Sequence, residues 1–159
     1  MADVLPAFLS ASEVAALRAL ADAPVAPPHA WRPGRQHSGY DILPLKATLP
    51  AALHAVRDRA LAALGPPVGE LWDVYLIRYD DGAHIPPHVD PAEPGKRHRR
   101  INAVLTAAAR GGELVIDGAP IALAVGDAVR FFSDREIHAV SRVEGTRLLF
   151  SVGAWIAGE

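Results

Sequence analysis

The stretch 79-YDDGAHIPPHVDPAEPG-95 places His88 and Asp90 two residues apart, directly after a Pro-Pro step. Proline has no backbone N–H and breaks helices, so Pro86 and Pro87 predict an extended segment here. Along an extended strand, side chains two residues apart point to the same side. The imidazole of His88 and the carboxylate of Asp90 are therefore predicted to lie side by side, as two ligands of one divalent ion.

A third ligand has to come from a distant part of the chain. His138 opens the predicted strand HAVSRV, after the loop SDREI. Two histidines and one carboxylate form a facial set of ligands that suits non-haem Fe(II) and leaves its other coordination positions open. An isolated H-x-D pair is common by chance, and a histidine at a strand start is often a surface residue. The metal site is therefore predicted from His88, Asp90 and His138 together.

The composition limits the class of protein. The chain has 159 residues, of which 50% are hydrophobic and 21% charged, as expected for one globular domain. Its net charge of -2 predicts no general attraction to nucleic acid or to an anionic membrane. It contains no cysteine, which excludes disulfides, thiolate nucleophiles and Cys-ligated metals. It lacks a signal-peptide pattern and a long apolar run, so we expect a cytoplasmic protein without a membrane segment.

Helical patterns precede a series of short strands. Ser10 and Glu13 have capping-box spacing at the start of one predicted helix, and a second helix is predicted over about 49–63. The stretch 22–39 is rich in Pro and Gly and is predicted to be a loop. Patterns rich in β-branched, aromatic and other apolar residues predict strands over 71–79, 101–108, 111–118, 128–132, 138–143 and 147–155.

Strands that follow one another without helical crossovers pair antiparallel. The sequence therefore predicts a mainly β fold with N-terminal helices, in which a double-sheet jelly-roll core carries the helices on one sheet. We expect a single domain over 1–159, with helical support over about 1–70 and the jelly-roll core over about 71–157.

Arg147 is a second candidate functional residue, after the predicted metal ligands, and could lie inside the predicted barrel. It lies nine residues after His138, beyond the short turn VEGT, which would return the next strand antiparallel beside the first. A buried guanidinium needs a partner, and a carboxylate fits it through two parallel hydrogen bonds. The alternative is an arginine at the rim of the sheet, paired with Glu144 or Asp127.

These motifs together resemble the Fe(II)- and 2-oxoglutarate-dependent oxygenases of the prolyl 4-hydroxylase-like group. YDDGAHIPPHVD is similar to the family's Y-x-x-G-x-x-x-x-x-H-x-D, and GGELVI is similar to its GGE strand. VGDAVRFFSDREIHAVSRVEGTR is similar to its closing motif, G-D-x-x-x-F … H-x-V-x-x-V-x-G-x-R. The resemblance covers 79–155 strongly, the N-terminal LPAFLSASEVAAL weakly and 22–69 hardly at all. It implies a double-stranded β-helix, which is a jelly roll.

The resemblance also implies roles for individual residues. It matches the iron ligands to His88, Asp90 and His138. It matches Arg147 to the residue that pairs with the distal carboxylate of 2-oxoglutarate, and Tyr79 to a tyrosine that hydrogen-bonds the same cosubstrate.

Two further residues are candidates for contact with 2-oxoglutarate. Where the family strand often ends Tyr-Leu-Asn, this chain has Thr106 followed by two alanines. Thr106 either replaces the tyrosine hydroxyl or is simply a residue that favours strands. Ser151 shares a strand face with Arg147, and it either reaches the cosubstrate or is an inert small core residue.

The implied reaction oxidises a substrate C–H bond with O2, while 2-oxoglutarate is decarboxylated to succinate and CO2 and ascorbate supports turnover. In related halogenases a small residue replaces the carboxylate ligand, and chloride takes its place. This chain has Asp90 at the matching position, so the resemblance implies a hydroxylated product. The resemblance leaves open whether the substrate is a peptide, an amino acid or a small natural product, and the oligomeric state is also open.

Three residues are candidate substrate contacts. His84 shares the parity of His88 if the strand is regular. Arg99 and Arg100 belong to KRHRR, 96–100, which is predicted to be a Pro/Gly-flanked loop. That loop either receives an anionic substrate at the barrel mouth or is a solvated charged surface. The long segment 22–48 is a candidate lid.

Three other functions are weighed against this one. A zinc hydrolase would place His84 and His88 on a helix, which the Pro-Pro step disfavours, and no H-E-x-x-H motif is present. A non-catalytic metal-binding jelly-roll module would not need both the triad and Arg147. A nucleic-acid demethylase of the same superfamily carries a second Arg six residues beyond the first. This chain has Gly153 there, so no nucleic-acid partner is expected.

Overall fold

The computed structural model of the chain describes residues 1–24 and 30–158. Its helices in these ranges are α1 (Ala11–Asp22) and α2 (His54–Leu64), the second preceded by a 3-10 turn (Ala51–Leu53). None of the described helices has the length and apolar character needed to span a membrane. The strands are β1 (Asp3–Leu5), β2 (Arg32–Pro33), β3 (Tyr40–Pro44), β4 (Pro67–Tyr79), β5 (Ile85–His88), β6 (Lys96–Thr106), β7 (Arg110–Gly111), β8 (Leu114–Ile116), β9 (Ala119–Ile121), β10 (Ala128–Phe132), β11 (His138–Val140), β12 (Val143–Glu144) and β13 (Arg147–Ala157).

The described strands pair antiparallel throughout. A large sheet has the order β1-β10-β6-β13-β4-β3-β2, and a small sheet has the order β5-β11-β8-β9. Strands β12 and β7 form a separate short pair. Side chains of the two main sheets pack together in one apolar cluster, so the sheets enclose a common interior. This arrangement confirms the predicted mainly β jelly roll.

Strand β13 divides its side chains between two apolar cores. Leu148 and Phe150 belong to a cluster that includes Leu17 of α1 and Leu64 of α2. Leu149, between them, belongs to the cluster that includes Val140 of the small sheet. Because side chains alternate along a strand, one face of the large sheet carries the helices and the other lines the interior. The prediction that the helices pack on one sheet is confirmed.

Helix α1 begins at the predicted capping box. The Glu13 backbone N–H donates to the Ser10 hydroxyl at 3.2 Å, and the Ser10 backbone N–H donates to the Glu13 carboxylate at 2.9 Å. Both nitrogen ends of the Arg59 guanidinium donate to the same carboxylate, at 3.1 and 2.7 Å. The cap therefore also ties α1 to α2.

Two arginines of the large sheet hold the C-terminal end of α2. Arg130 Nη1 donates to the carbonyl of Ala63 at 2.8 Å, and Arg99 Nη1 donates to the carbonyl of Leu64 at 3.1 Å. The last carbonyls of a helix have no partner within the helix and carry partial negative charge, so cations stabilise them. These contacts anchor the helix on β10 and β6.

The structure corrects the predicted order and limits of several elements. Strands β2 and β3 lie between the helices, so the two helices do not both precede the strands. Strand β4 begins at Pro67 and not at 71. The KRHRR stretch belongs to β6 and is not a loop, because its backbone pairs with β13 and its side chains alternate between the two faces of the sheet. Part of the predicted 22–39 loop, residues 25–29, falls outside the described ranges.

The turn VEGT also differs from its prediction. Strand β11 pairs with β5 and β8 in the small sheet, whereas β13 pairs with β4 and β6 in the large sheet. The segment therefore carries the chain from one sheet to the other and does not form a hairpin. As a result Arg147 enters the interior from the large sheet, opposite Tyr79.

The Glu13 cap should make stability depend on pH. The Arg59 guanidinium, helped by the Ser10 N–H, lowers the pKa of Glu13 below its ordinary 4.5. A carboxylate with a lowered folded pKa stabilises the protein above its unfolded pKa and loses that contribution as the pH falls through the folded value. Glu13→Gln keeps a side chain that can accept the Ser10 N–H but removes the charge that faces Arg59. It should therefore lower the unfolding free energy by roughly 0.2–1 kcal/mol at neutral pH, and the loss should shrink in acid.

Urea denaturation of the wild-type protein and Glu13→Gln, from neutral pH into acid, measures the difference in unfolding free energy. Glu70→Gln is the matched control, because the Glu70 side chain is 87% exposed and 3.9 Å from Lys46. An equal loss in both variants, or a loss that persists in acid, would contradict the assigned role of the cap.

Candidate metal centre

Three side chains converge where β5 and β11 pair. His88, Asp90 and His138 each offer one ligand atom, and these atoms lie within 4.8 Å of one another. His88 Nε2 lies 3.6 Å from Asp90 Oδ1, and the two imidazole centroids are 4.2 Å apart. His88 and His138 are direct cross-strand partners. The long-range pairing of the two strands thus brings together the residues that the sequence predicted.

The Pro-Pro step determines which histidine joins this group. His138 pairs with His88, but Val140 pairs with Ile85, so Pro86 and Pro87 together face one residue of β11. Such a β-bulge shifts the alternation of side chains by one position. His84 is therefore exposed on the outer side of β5 and does not share the face of His88. Its predicted contact with substrate has no support from this placement, and no helix carries His84 and His88.

Backbone carbonyls select the same tautomer for both histidines. His88 Nδ1 lies 2.8 Å from the carbonyl of Pro86, and His138 Nδ1 lies 3.0 Å from the carbonyl of Glu136. A carbonyl only accepts hydrogen bonds, so each Nδ1 carries the proton. Each Nε2 then presents its lone pair to the centre, which is the usual arrangement of metal-binding histidines.

The donor set suits a divalent ion. Burial lowers the pKa of His138 below 6.5, so its imidazole is neutral and able to ligate at neutral pH. A carboxylate and two imidazoles, with no sulfur ligand, match the preference of Fe(II) and similar ions. Neighbouring donors of one ion with bonds of about 2.1 Å lie roughly 3 Å apart, close to the separation of His88 and Asp90.

The loop after β10 holds the Asp90 segment in place. The Asp90 backbone N–H donates to the carbonyl of Ser133 at 2.8 Å, and the Ser133 N–H donates to the carbonyl of His98 at 3.1 Å. The Ser133 hydroxyl and His98 Nδ1 are 2.6 Å apart. Burial, with Arg100 nearby, lowers the pKa of His98 to about 4, so it too is neutral. Sequence analysis did not identify His98 or Ser133, because only the tertiary pairing brings them to Asp90.

The metal centre opens into a cavity of about 380 Å³ between the two sheets. This volume is typical of a small-molecule site. Its wall includes Gly34, Arg35 and Gln36 from the predicted lid segment, and Tyr40 of that segment stacks on Tyr79 with ring centroids 5.6 Å apart. The large sheet contributes polar and aromatic side chains to the floor: Asp73, Tyr75, Tyr79, His98, Arg100, Asn102 and Trp155.

Arg147 is buried beside Tyr79 without a partner for one of its nitrogen atoms. Its exposure is 5%, and its guanidinium carbon lies 5.3 Å from the centre of the Tyr79 ring. Nη1 is buried and has no hydrogen-bond partner among the described residues. Burial lowers the pKa of Arg147 and raises that of Tyr79 to about 12, a rise that Arg147 opposes. A buried cation with an unused donor is costly unless an anionic ligand completes it.

Pairing of Arg147 with Glu144 or Asp127 at the rim is not what the structure shows. Asp127 instead accepts hydrogen bonds from the backbone of Ala7 and Ala124, at 2.8 and 3.1 Å. Glu144 is exposed, whereas Arg147 is buried. Gly112 gives the arginine room, since a Cβ there would lie 2.9 Å from Arg147 Cδ.

Thr106 and Ser151, the two further candidates for contact with the cosubstrate, lie in different surroundings. Thr106 ends β6 opposite Leu148, at an irregularity in the register, and does not line the described cavity wall. Ser151 is fully buried, accepts a hydrogen bond from Arg100 at 2.8 Å and donates one to Asn102 at 2.7 Å. Its hydroxyl is therefore part of a polar network in the sheet.

Arg99 and Arg100 point to opposite faces of β6, because neighbouring residues of a strand alternate. Arg99 caps α2 and lies 4.8 Å from the Phe132 ring, away from the cavity, which corrects its prediction as a substrate contact. Arg100 lines the cavity and pairs with Asp73 at 3.2 Å. The pair lies over Gly153, where an added Cβ would be 2.8 Å from Arg100 Nη2.

Comparison with known families agrees with this geometry. The family model described as the 2OG-Fe(II) oxygenase superfamily matches residues 74–157, just over half of the chain. The match begins within β4 and ends with β13, so it includes the triad, Tyr79 and Arg147. No curated protein sequence matches the chain.

Solved structures share the fold at low sequence identity. A Pseudomonas putida prolyl-4-hydroxylase is 21% identical, with 99% of this chain and 93% of that chain covered and a TM-score of 0.73. A viral collagen prolyl hydroxylase from Paramecium Bursaria Chlorella virus-1, solved as a 2OG complex, is 16% identical, with 96% of each chain covered and a TM-score of 0.71. HygX from Streptomyces hygroscopicus, solved with nickel and 2-oxoglutarate bound, is 16% identical, with 96% of this chain and 81% of that chain covered and a TM-score of 0.63.

Metal binding should depend on the convergent histidines and not on the outer one. His138→Ala removes one of three ligands, so the affinity for Fe(II), or for Mn(II) or Ni(II) as stand-ins, should fall by more than about tenfold. Calorimetric titration of the metal-free protein measures this. His84→Ala is the matched control, because His84 is exposed on the outside of β5. If both variants bound metal equally well, the ligand assignment would be wrong.

Proposed function

This chain belongs to the 2OG-Fe(II) oxygenase superfamily, and we propose that it hydroxylates a C–H bond of an amino-acid, peptidyl or small natural-product substrate. In the same turnover 2-oxoglutarate and O2 would yield succinate and CO2. Family membership makes the chain a 2-oxoglutarate-dependent dioxygenase. The roles of individual residues, the single-domain organisation and the substrate class are parts of the proposal.

The unpartnered Nη1 of the buried Arg147 is the observation on which the proposal chiefly rests. A guanidinium binds a carboxylate through parallel hydrogen bonds, and burial strengthens that attraction. The Tyr79 ring lies against the same guanidinium and lines the cavity. We assign to these two residues the distal carboxylate of 2-oxoglutarate, a dicarboxylate that can span from the arginine towards the triad.

His88, Asp90 and His138 would hold Fe(II). The ion supplies the activation of O2 and the oxidation of the substrate, with ascorbate as a supporting reductant. The chain supplies the rest. The Pro86 and Glu136 carbonyls orient the two imidazoles, the Ser133 carbonyl holds the Asp90 segment, and the sheet interior excludes bulk water. Neither Thr106 nor Ser151 has a described contact that supports a role towards the cosubstrate, since the Ser151 hydroxyl contacts Arg100 and Asn102.

A non-catalytic binding module would have little use for this arrangement. It would keep a metal site, but it would not need a second, buried cation that has an unused donor, at a cost in stability. Two of the structures that share the fold are prolyl hydroxylases, which makes free or peptidyl proline a natural first substrate to try. A cytoplasmic location remains a prediction from the sequence.

Affinity for 2-oxoglutarate should depend on the shape of the Arg147 side chain as well as its charge. Arg147→Ala should raise the dissociation constant about 10- to 100-fold, since a hydrogen bond to a charged group contributes roughly 1.5–3 kcal/mol. Arg147→Lys should recover only part of the loss, because an ammonium cannot form the planar fork. Titration of the Mn(II)-loaded protein under nitrogen measures binding without turnover. Arg18→Ala, on the exposed side of α1, is the control. Wild-type affinity in Arg147→Ala would show that another group holds the carboxylate.

The product should contain one new oxygen atom. Asp90 would fill the ligand position that halide takes in the related halogenases, so we expect hydroxylation and no effect of chloride. Mass spectrometry of the product formed under ¹⁸O₂, with succinate counted in parallel, tests this. One ¹⁸O per succinate is the expected result. A chlorinated product, or a desaturated one without added oxygen, would contradict it.

A further inference from the structure

A charged pair lies in the cavity floor, separate from the residues assigned above to metal and 2-oxoglutarate. Arg100 Nη1 is 3.2 Å from Asp73 Oδ1, and Arg100 Nη2 is 3.4 Å from Asp73 Oδ2, so the guanidinium and carboxylate form a fork. Their side chains are 15% and 29% exposed, and both line the cavity. The pair is thus largely buried but reaches the space where a ligand would bind.

Gly153 is what allows the pair to form. Asp73 on β4 and Arg100 on β6 both lie opposite Gly153 of the strand between them. A Cβ at this position would stand 2.8 Å from Arg100 Nη2 and 2.9 Å from Asp73 Oδ1. The two side chains meet over the backbone of β13 only because no side chain separates them.

Stability does not explain a pair in this place. Removing two charges from water costs about as much as their attraction returns, and apolar residues of similar size would serve the sheet equally well. The guanidinium is nevertheless held in position from a second side, because it donates to Ser151 at 2.8 Å and Ser151 donates to Asn102 at 2.7 Å. A charged group that is both costly and oriented suggests recognition of a ligand.

The pair lies at the level of the metal centre and far from Arg147. Arg100 is the cross-strand partner of Phe131, whose ring is 5.2 Å from that of His138. Gly153 and Arg147 are six residues apart on β13, which corresponds to roughly 20 Å of extended strand. A ligand held by the pair would therefore occupy the metal end of the cavity, beside the cosubstrate assigned to Arg147.

We propose that Asp73 and Arg100 bind the ammonium and carboxylate groups of a free α-amino acid, whose side chain is the part presented to the triad. The inference rests on the proposed function and specifies its substrate class. A simple carboxylate would be attracted by Arg100 but repelled by Asp73, whereas a zwitterion satisfies both. A residue inside a peptide carries neither charge. It would remove water from Asp73 and Arg100 without giving either side chain a charged partner in exchange. The aromatic rings of Tyr75 and Trp155 in the same wall offer apolar contact to a side chain.

The first experiment separates this inference from the function on which it rests. The protein with Fe(II), 2-oxoglutarate and ascorbate is assayed for succinate, first alone and then with each proteinogenic L-amino acid. Binding of 2-oxoglutarate to the Mn(II)-loaded protein is measured separately. Failure to bind 2-oxoglutarate would overturn the proposed function. If 2-oxoglutarate binds but no free amino acid stimulates succinate formation, only the present inference is overturned.

The second experiment asks which charge each residue recognises. The amino acid that stimulates most is compared with its N-acetyl derivative and its amide, by calorimetry on protein loaded with Mn(II) and 2-oxoglutarate under nitrogen. Blocking either charge should weaken binding by about 10- to 100-fold. Asp73→Asn should weaken binding of the free amino acid to a similar extent but have little further effect on the N-acetyl derivative. Arg100→Gln should behave in the same way towards the amide. The assignment would be overturned if the derivatives bound as well as the free amino acid. It would also be overturned if the loss from each substitution simply added to the loss from blocking the charge it is assigned to.

Two further variants test whether the losses of binding reflect the pair itself or a general loss of structure. Gly153→Ala keeps both charges but inserts a methyl group between them, so it should also weaken amino-acid binding. Its cost in stability should be small, because the atoms it meets are the ends of side chains. Asp41→Asn breaks a comparable cross-strand pair, with Arg78 at 3.3 Å, which does not line the cavity. This control should bind the amino acid like wild type. Equal losses in Asp41→Asn and Asp73→Asn would sink the inference.

Discussion

The pairing of β13 with β4 on one side and β6 on the other is the constraint on which the rest of the structure depends. Because strand side chains alternate, this central strand sends Leu148 and Phe150 towards the helices and Arg147 and Ser151 towards the interior. The same pairing sets Arg147 opposite Tyr79 and leaves Gly153 between Asp73 and Arg100. A shift of one residue would exchange the polar floor of the cavity for the apolar layer under the helices.

The interior buries several charged side chains, although burial disfavours charge. The interior contains apolar side chains of both sheets. The large sheet also places two guanidinium groups and a carboxylate there, and the small sheet with the loop after β5 contributes the candidate triad. Desolvation disfavours each charge, as the lowered pKa of Arg147 indicates. One cation retains an unused donor and the other is paired across a glycine. Such costs are tolerated where a ligand supplies a partner. Arg100 lines the cavity itself, and Arg147 lies against Tyr79, which lines it.

Around the triad, the backbone does most of the positioning. The Pro86 and Glu136 carbonyls fix the imidazole tautomers, and the Ser133 carbonyl holds the segment of Asp90. The bulge at the Pro-Pro step then decides that His88 faces inwards and His84 outwards. Ligand geometry therefore depends on peptide groups whose places are set by strand pairing, which is more rigid than an arrangement of flexible side chains.

The sequence by itself was enough to predict the kind of fold, the α1 cap, the three candidate ligands and Arg147 as a candidate cosubstrate contact. The cap and the His88–Asp90 pair depend on local spacing, and the other two residues belong to motifs that occur in a recognisable order. It could not determine that KRHRR is a strand, since its charges hide the alternation, or that His84 faces outwards, since parity along the chain does not reveal a bulge. The contacts of His98 with Ser133 and of Asp73 with Arg100 were also beyond it. Each of these pairs joins residues separated by more than 25 positions, so only the register of the folded sheets brings them together.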